Sequence, residues 1–343
     1  MKGEIINKSR RAHPRLRAIP KPFAALTPER VLEAADAVGF APDGRLLALN
    51  SYENRVYRLG SAEGMRVLKF YRPGRWSDAQ ILEEHRFALE LAAAELPVAA
   101  PLEQGGRTLF CHAGFRFAAF TCLGGREPEL DLPGAREVLG RSLARVHQVG
   151  ARARFAHRPA IDVERYGHRS RALVRASPLL PEALAEQYAR LSALLLERIE
   201  RVYAEVGTVE WIRVHGDCHL GNLLWVETGP QFVDLDDCAM GPRIQDLWML
   251  LSGEPQAQQA QWAELLSGYE SFGSIDYRTV RLIEPLRALR MLHHAAWVCE
   301  RWEDPAFPRA FPWFGEGRHW ERYLADLAEQ LANIDAPPLL IRD

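Results

Sequence analysis

Three residues could do chemistry together by type and spacing: Asp217, Asn222 and Asp234. The first two lie in Val214-His215-Gly216-Asp217-Cys218-His219-Leu220-Gly221-Asn222-Leu223-Leu224-Trp225-Val226, the third in Gln231-Phe232-Val233-Asp234-Leu235-Asp236-Asp237. Between them Glu227-Thr228-Gly229-Pro230 reads as a turn, so the two apolar runs predict a β-hairpin. Counting outward from that turn sets Asn222 and Asp234 nearly opposite each other, about 5 to 8 Å apart at their Cβ atoms. A carboxylate plus an amide oxygen, with phosphate and water oxygens completing an octahedron, suits Mg²⁺, which rarely takes a full protein cage. Phosphoryl transfer to a hydroxyl needs little more than a carboxylate to accept the proton and cations to neutralise the phosphates. Asp217 is the candidate base, and Asp236 is the next candidate should the metal lie elsewhere.

Two other readings of the same residues stay open. Asp and Asn are common turn formers and strand-end caps, although three in this order on one hairpin favour a site. His215, Asp217 and His219 alternate along an extended segment and could face one transition metal. No second His/Asp cluster offers a further ligand, so the histidines are expected to hydrogen-bond and position the loop.

The elements that must carry this hairpin fall into two groups. Thr27 before Pro28-Glu29-Arg30 predicts a helix over 28–39. Strand-like runs follow at 45–49, 54–59 and 66–71, the last two joined by a 60–64 turn, then a helix over 78–96 that stops before Pro97 and strands at 108–111 and 115–121. At Leu123-Gly124-Gly125-Arg126-Glu127-Pro128 the strand pattern ends. Beyond it the periodicity is helical over 135–149, 181–204, 244–251, 256–272, 277–301 and 318–334, with the strand-rich island 212–235 between the second and third. The predicted fold is therefore α+β and two-lobed: an antiparallel-sheet N-lobe over 23–122 and a mainly helical C-lobe over 123–343.

The 343 residues are too many for one small core and leave room for a cleft between lobes. Apolar residues at 48% and charged ones at 26% describe an ordinary globular chain, without an apolar run long enough to span a bilayer. A net charge of −2 offers no overall field for nucleic acid or an anionic membrane, so neither is expected as a partner. Residues 1–22 are the exception, with Lys2, Lys8, Arg10, Arg11, Arg15, Arg17 and Lys21 against Glu4. That stretch is expected to be a mobile, solvated extension. Five cysteines without a CxxC pair fit a reducing cytoplasm better than a disulfide framework or a zinc knuckle. A monomer is the expectation.

At His215-Gly216-Asp217-Cys218-His219-Leu220-Gly221-Asn222 and the strand ending in Asp234, the chain resembles the aminoglycoside phosphotransferase and choline kinase group of kinase-like enzymes. The five-residue step from Asp217 to Asn222 is also the one kinase catalytic loops use. Leu49-Asn50-Ser51-Tyr52-Glu53-Asn54-Arg55-Val56-Tyr57, Lys69-Phe70-Tyr71-Arg72-Pro73, Ile81-Leu82-Glu83-Glu84-His85 and Phe232 to Asp237 resemble a branch of that group, the bacterial stress-response Ser/Thr protein kinases. The resemblance covers Phe23 to the C-terminal region, with Trp302 to Trp313 included.

It implies ATP as phosphoryl donor and Mg²⁺ as cofactor, with Asp217 as proton acceptor and Asn222 and Asp234 on the metal. It further implies Ser51 over the phosphates, Lys69 as the strand lysine that meets them, and Glu84 as the lysine's partner. Read without the resemblance, Lys69 could lie on an exposed edge strand; if buried it must be paired, and Glu83 is the neighbouring alternative to Glu84. Asp246 matches an acid that supports the catalytic loop, or is a first-turn acid favoured by the helix dipole. Ser51 to Asn54 stand where eukaryotic protein kinases have a glycine-rich loop, and Asp234 is followed by Leu235-Asp236 with no A-P-E motif, so no phosphorylated activation loop is implied. The acceptor implied by the narrower resemblance is a protein Ser or Thr, the enzyme's own included. A small-molecule hydroxyl kinase of choline, homoserine or aminoglycoside type is the alternative, and a nucleotide-binding pseudokinase a further one.

Overall fold

The computed structural model describes residues 22–340; the basic stretch ending at Lys21 lies outside the described residues. Thr27 accepts a hydrogen bond from the Arg30 N–H and Pro28 occupies the first turn, which starts α1 (Pro28–Ala37). Then come β1 (Pro42–Ala48), β2 (Arg55–Ser61), β3 (Gly64–Phe70), α2 (Asp78–Ala93), β4 (Phe110–His112) and β5 (Phe115–Thr121). The strands form one antiparallel sheet in the order β1-β2-β3-β5-β4. A capping box between Ser77 and Gln80 opens α2.

Side chains alternate across a strand. Leu68 and Phe70 therefore pack with α1 and Phe117 on one face, while Lys69 points to the other, where α2 lies. Lys69 pairs with Val56 on one side and Ala118 on the other, so its strand is interior to the sheet and the edge reading fails. The turn between β2 and β3 is shorter than the expected 60–64 span, because Gly60 and Ser61 already pair with Met65 and Gly64.

The rest is mainly helical: α3 (Ala135–Gly150), a π-helical turn (Val163–Arg169) running into α4 (Ser170–Ala176), and α5 (Glu182–Val206). The strand-rich island follows as β6 (Ile212–Val214), β7 (Leu223–Val226), β8 (Gly229–Phe232) and β9 (Ala239–Gly241). Then come α6 (Ile244–Trp248), α7 (Pro255–Glu270), α8 (Ile283–Arg301), α9 (Ala306–Ala310) and α10 (Gly317–Asp335). The hairpin turn is tighter than the expected four residues, since Val226 pairs with Gly229. The helix expected over 277–301 is in two parts, a 3₁₀ stretch over Tyr277–Leu282 and then α8. The π-helical turn, α4, α9 and the three-residue β9, which pairs with β6, carry too few residues to show a period in the sequence.

Two glycines let α3 and α7 close on each other. A Cβ at Gly140 would stand 2.1 Å from the Leu265 carbonyl oxygen, and one at Gly268 2.0 Å from that of Glu137. This contact lies within the large apolar cluster, with Leu139, Leu143, Trp262 and Leu265, that backs the hairpin through Leu223 and Phe232. Among the described residues no helix is long and apolar enough to cross a membrane.

Candidate active site

β6 delivers the chain into the loop at His215, and the loop is held from behind by Asp246 of α6. Its carboxylate accepts the N–H groups of His215 at 2.8 Å and Gly216 at 2.9 Å, and meets His147 Nε2 at 3.0 Å. His147 in turn bonds the Tyr269 hydroxyl at 2.8 Å through Nδ1. Burial alone would raise the Asp246 pKa, but the His147 hydrogen bond and the charges of His147 and His215 keep it below the usual carboxylate value. Gly216 has φ +84°, and a Cβ there would lie 2.3 Å from the Asp237 carbonyl oxygen, so only glycine lets the loop pass this close to the chain after β8.

The two histidines position the loop. His215 Nε2 donates to the Val233 carbonyl at 3.0 Å, tying the loop to the hairpin; His219 Nδ1 accepts from the Gly221 N–H at 3.0 Å. No group of three His, Cys, Asp or Glu side chains among the described residues is arranged to hold a metal, so the transition-metal reading fails.

At the open end of the hairpin Val233, the residue before Asp234, lies opposite Asn222 and donates its N–H to the Asn222 carbonyl at 3.1 Å, so Asn222 and Asp234 sit one residue from opposite each other. The Asn222 amide nitrogen donates to the Asp217 carbonyl at 2.9 Å, which leaves its Oδ1 for a cation. Asp234 adopts φ +56°, rare for a residue with a Cβ and concentrated at functional sites. Its carboxylate is half exposed in the cleft, 3.7 Å from Lys69 Nζ. One free amide oxygen and one solvated carboxylate fit a divalent cation that keeps most of its ligands from water and phosphate. Asp236 does not. It is buried and already accepts from Asn54 Nδ2 at 3.1 Å and Lys69 at 3.2 Å, and it pairs with Arg75. Burial opposes its charge, but Lys69, Arg75 and Arg158 outweigh that and hold its carboxyl well below the usual range.

Across the cleft, Lys69 Nζ lies 2.5 Å from Glu84 Oε1, and both are buried. Desolvation works against the ammonium, but Asp236 and Glu84 overcome it and raise the Lys69 pKa well above normal. Glu83, one residue before, turns away to accept the N–H groups of Ala156, His157 and Arg158 at 2.7 to 3.0 Å. Ser51 lines the cleft, but its hydroxyl is occupied within its own loop, donating to the Asn54 carbonyl and accepting the Val56 N–H, both at 3.2 Å.

Asp217 faces the same cleft. Its Oδ2 lies 3.4 Å from His219 Nε2 and from the Asn222 amide, and Arg290 of α8 stands 2.6 Å from Oδ1. Burial would raise its pKa, but the hydrogen bond from His219 and the charge of Arg290 prevail and keep it anionic. Ser51, Lys69, Glu84, Asp217, Asn222 and Asp234 line one cavity of about 900 Å³. Arg75, Arg158, Arg290 and Glu53 also belong to the site. Apart from the place of Glu53 in the Leu49–Tyr57 stretch, nothing in the sequence singles them out, because their partners lie far along the chain: Arg75 pairs with Asp236 and Asp237, and Glu53 accepts from Trp297 Nε1 at 2.6 Å.

A family model described as "Phosphotransferase enzyme family" matches residues 45–283. "Stress response kinase A" of Escherichia coli K12 is 44% identical over 318 residues, covering 92% of this chain and 96% of the relative. "Serine/threonine protein kinase RdoA" of Salmonella typhimurium is 43% identical over the same shares. Among solved structures, an amicoumacin kinase in complex with AMP-PNP and Ca²⁺ superimposes with a TM-score of 0.69 at 20% identity, over 92% of this chain and 96% of that one. A spectinomycin phosphotransferase with ADP and spectinomycin gives 0.63 at 14%, over 90% and 98%. These two share the fold: a small antiparallel-sheet lobe on a mainly helical one. The chain belongs to the phosphotransferase enzyme family.

Proposed function

We propose that this phosphotransferase moves the γ-phosphoryl group of ATP, with Mg²⁺, to Ser or Thr hydroxyls of proteins, its own included, as part of a bacterial stress response in the cytoplasm. One observation carries the chemistry: the Lys69–Glu84 pair faces Asp217, Asn222 and Asp234 across a single cleft. The acceptor class rests on the names of the relatives that are 43% and 44% identical over nearly the whole chain. Residues 23–122 are taken as the ATP-binding lobe and 123–343 as the lobe that carries the catalytic loop and the acceptor. The protein acts as a monomer, without nucleic acid or membrane as a partner.

Asp217 accepts the proton of the acceptor hydroxyl as its oxygen bonds to the γ-phosphorus. The bridging P–O bond to the β-phosphate breaks, and ADP leaves with the electron pair. Lys69, fixed by Glu84, offers its ammonium to the phosphates, and Asn222 and Asp234 hold Mg²⁺, which screens their charge when bound. The backbone N–H groups of the Ser51–Asn54 loop, with the Ser51 hydroxyl closing its turn, cover the phosphates.

The test is transfer from radiolabelled ATP to the protein itself, to a generic protein, and to choline, homoserine and an aminoglycoside. Label in Ser or Thr of a protein is the expected result. Label only in a small alcohol would replace this reading by the small-molecule one, and no label at all would favour a pseudokinase.

A further inference from the structure

The wall beyond Asp217 is one face of α8. Arg290, His293, His294 and Trp297 recur at helical spacing and all line the cleft, with Tyr52 and Phe311 opposite. The aromatic part is tightly made: Trp297 and Phe311 have ring centroids 5.7 Å apart, and Tyr52 and Phe311 5.3 Å.

The carboxylates around this wall are already engaged. Glu53 holds Arg72, Arg301 and Trp297, Glu84 holds Lys69, and Arg75 bridges Asp236 and Asp237. Asp234 is assigned above to the metal. A cationic acceptor would find no free carboxylate here.

Arg290 is in the opposite situation. Its Nη1 stands 2.6 Å from Asp217 Oδ1, a contact too poorly aligned for a hydrogen bond, and no other carboxylate lies within 4.0 Å of it among the described residues. With His219 and Asn222 3.4 Å from Oδ2, the guanidinium flanks the other oxygen, the one open to an acceptor hydroxyl. The guanidinium crowds the approach to Oδ1, and a guanidinium moves most readily from one carboxylate to another.

We infer that Arg290 is a specificity-determining residue that selects Ser or Thr acceptors beside an acidic side chain, whose carboxylate draws the guanidinium off Asp217 and opens Oδ1 to the hydroxyl. In an extended peptide a residue one or two positions away lies about 4 to 7 Å from the acceptor, within reach of an arginine. This inference rests on the protein-kinase reading above and narrows it to acidic segments.

Two peptides that differ only in their flanks, Asp on both sides of the Ser or Lys on both sides, test it with the full chain, Mg²⁺ and ATP. Wild type is expected to show kcat/KM about tenfold or more higher for the acidic peptide. Arg290→Glu should invert the preference, and Arg290→Lys should keep its direction with a smaller ratio. Thermal unfolding of each variant checks that it is folded. Equal use of both peptides by wild type, or preference for the basic one, overturns the inference while leaving the protein-kinase reading standing, and so does an Arg290→Glu protein that is folded and still prefers the acidic peptide. Wild type that phosphorylates neither peptide, nor any other protein, sinks the kinase reading and this inference with it.

Discussion

Asp234 and Asp236 are two residues apart and do unlike work. The first is half exposed and free to meet a cation; the second is buried among Asn54, Lys69, Arg75 and Arg158. Asp234→Asn is therefore expected to raise the Mg²⁺ concentration needed for ATP binding and turnover while leaving the melting temperature nearly unchanged, and Asn222→Ala to do so more mildly. Asp236→Asn should behave the other way. It leaves buried cations uncompensated, a loss of about 3 to 5 kcal/mol, and so should lower the melting temperature well before it alters the metal requirement. Titrating Mg²⁺ and melting all three proteins separates the roles; an unchanged metal requirement in Asp234→Asn would move the metal elsewhere.

The hairpin and its loop depend on elements that sequence order does not put beside them. Asp246, thirty-one residues beyond His215, supplies the acceptor for two loop N–H groups. Asp246→Ala strands those donors and His147 in the interior, so about 3 to 5 kcal/mol of stability and most of the activity should go together. A variant that melts like wild type would show that the loop is held by something else. The hairpin itself was legible from alternating apolar runs about a turn, and counting put Asn222 and Asp234 near each other, although the tighter turn sets Val233 opposite Asn222. The helix after Lys69 was legible from its periodicity and the role of Lys69 from the resemblance, but a one-residue register on α2 decides between Glu83 and Glu84, and only packing settles that. Arg75, Arg158 and Arg290 were not legible. An arginine in a surface-rich segment looks the same whether it ends in water or in a carboxylate 160 residues away.

At the scale of the molecule, charges and aromatic rings close the two lobes on each other. Arg72 of the sheet lobe pairs with Asp304, Glu53 with Arg301 and Trp297, and Tyr52 stacks edge-on against Phe311. Within each lobe, a buried imidazole makes the folded molecule sensitive to acid. His85 bonds the Tyr71 hydroxyl at 2.7 Å and that of Thr108 at 2.8 Å, and burial, aided by Lys69 and Arg158, pushes its pKa down to about 3. His293, stacked on Tyr166, is pushed down to about 3 mainly by burial. In the unfolded chain both protonate near about 6.5. Below that pH the unfolded state binds more protons than the folded one, so stability is full above about 6.5 and falls by about 1.4 kcal/mol per pH unit for each histidine as the pH drops toward 3. Melting temperatures at pH about 7.5 and about 5.5 should show the loss, and His85→Gln should shrink it. Equal acid sensitivity in wild type and variant would assign the effect to other groups.

The central claim is that this cleft transfers phosphate with Asp217 as the base. Its most direct test is a paired measurement on wild type and Asp217→Asn: ATP affinity, and phosphate incorporated into Ser or Thr with only Mg²⁺ and ATP supplied. General bases contribute about 10²- to 10⁴-fold, and the base acts on the acceptor hydroxyl, not on the nucleotide. The account predicts labelled wild type, a variant slower by at least about a hundredfold, and ATP affinities within a few-fold of each other. Turnover in Asp217→Asn above about a tenth of wild type would contradict it.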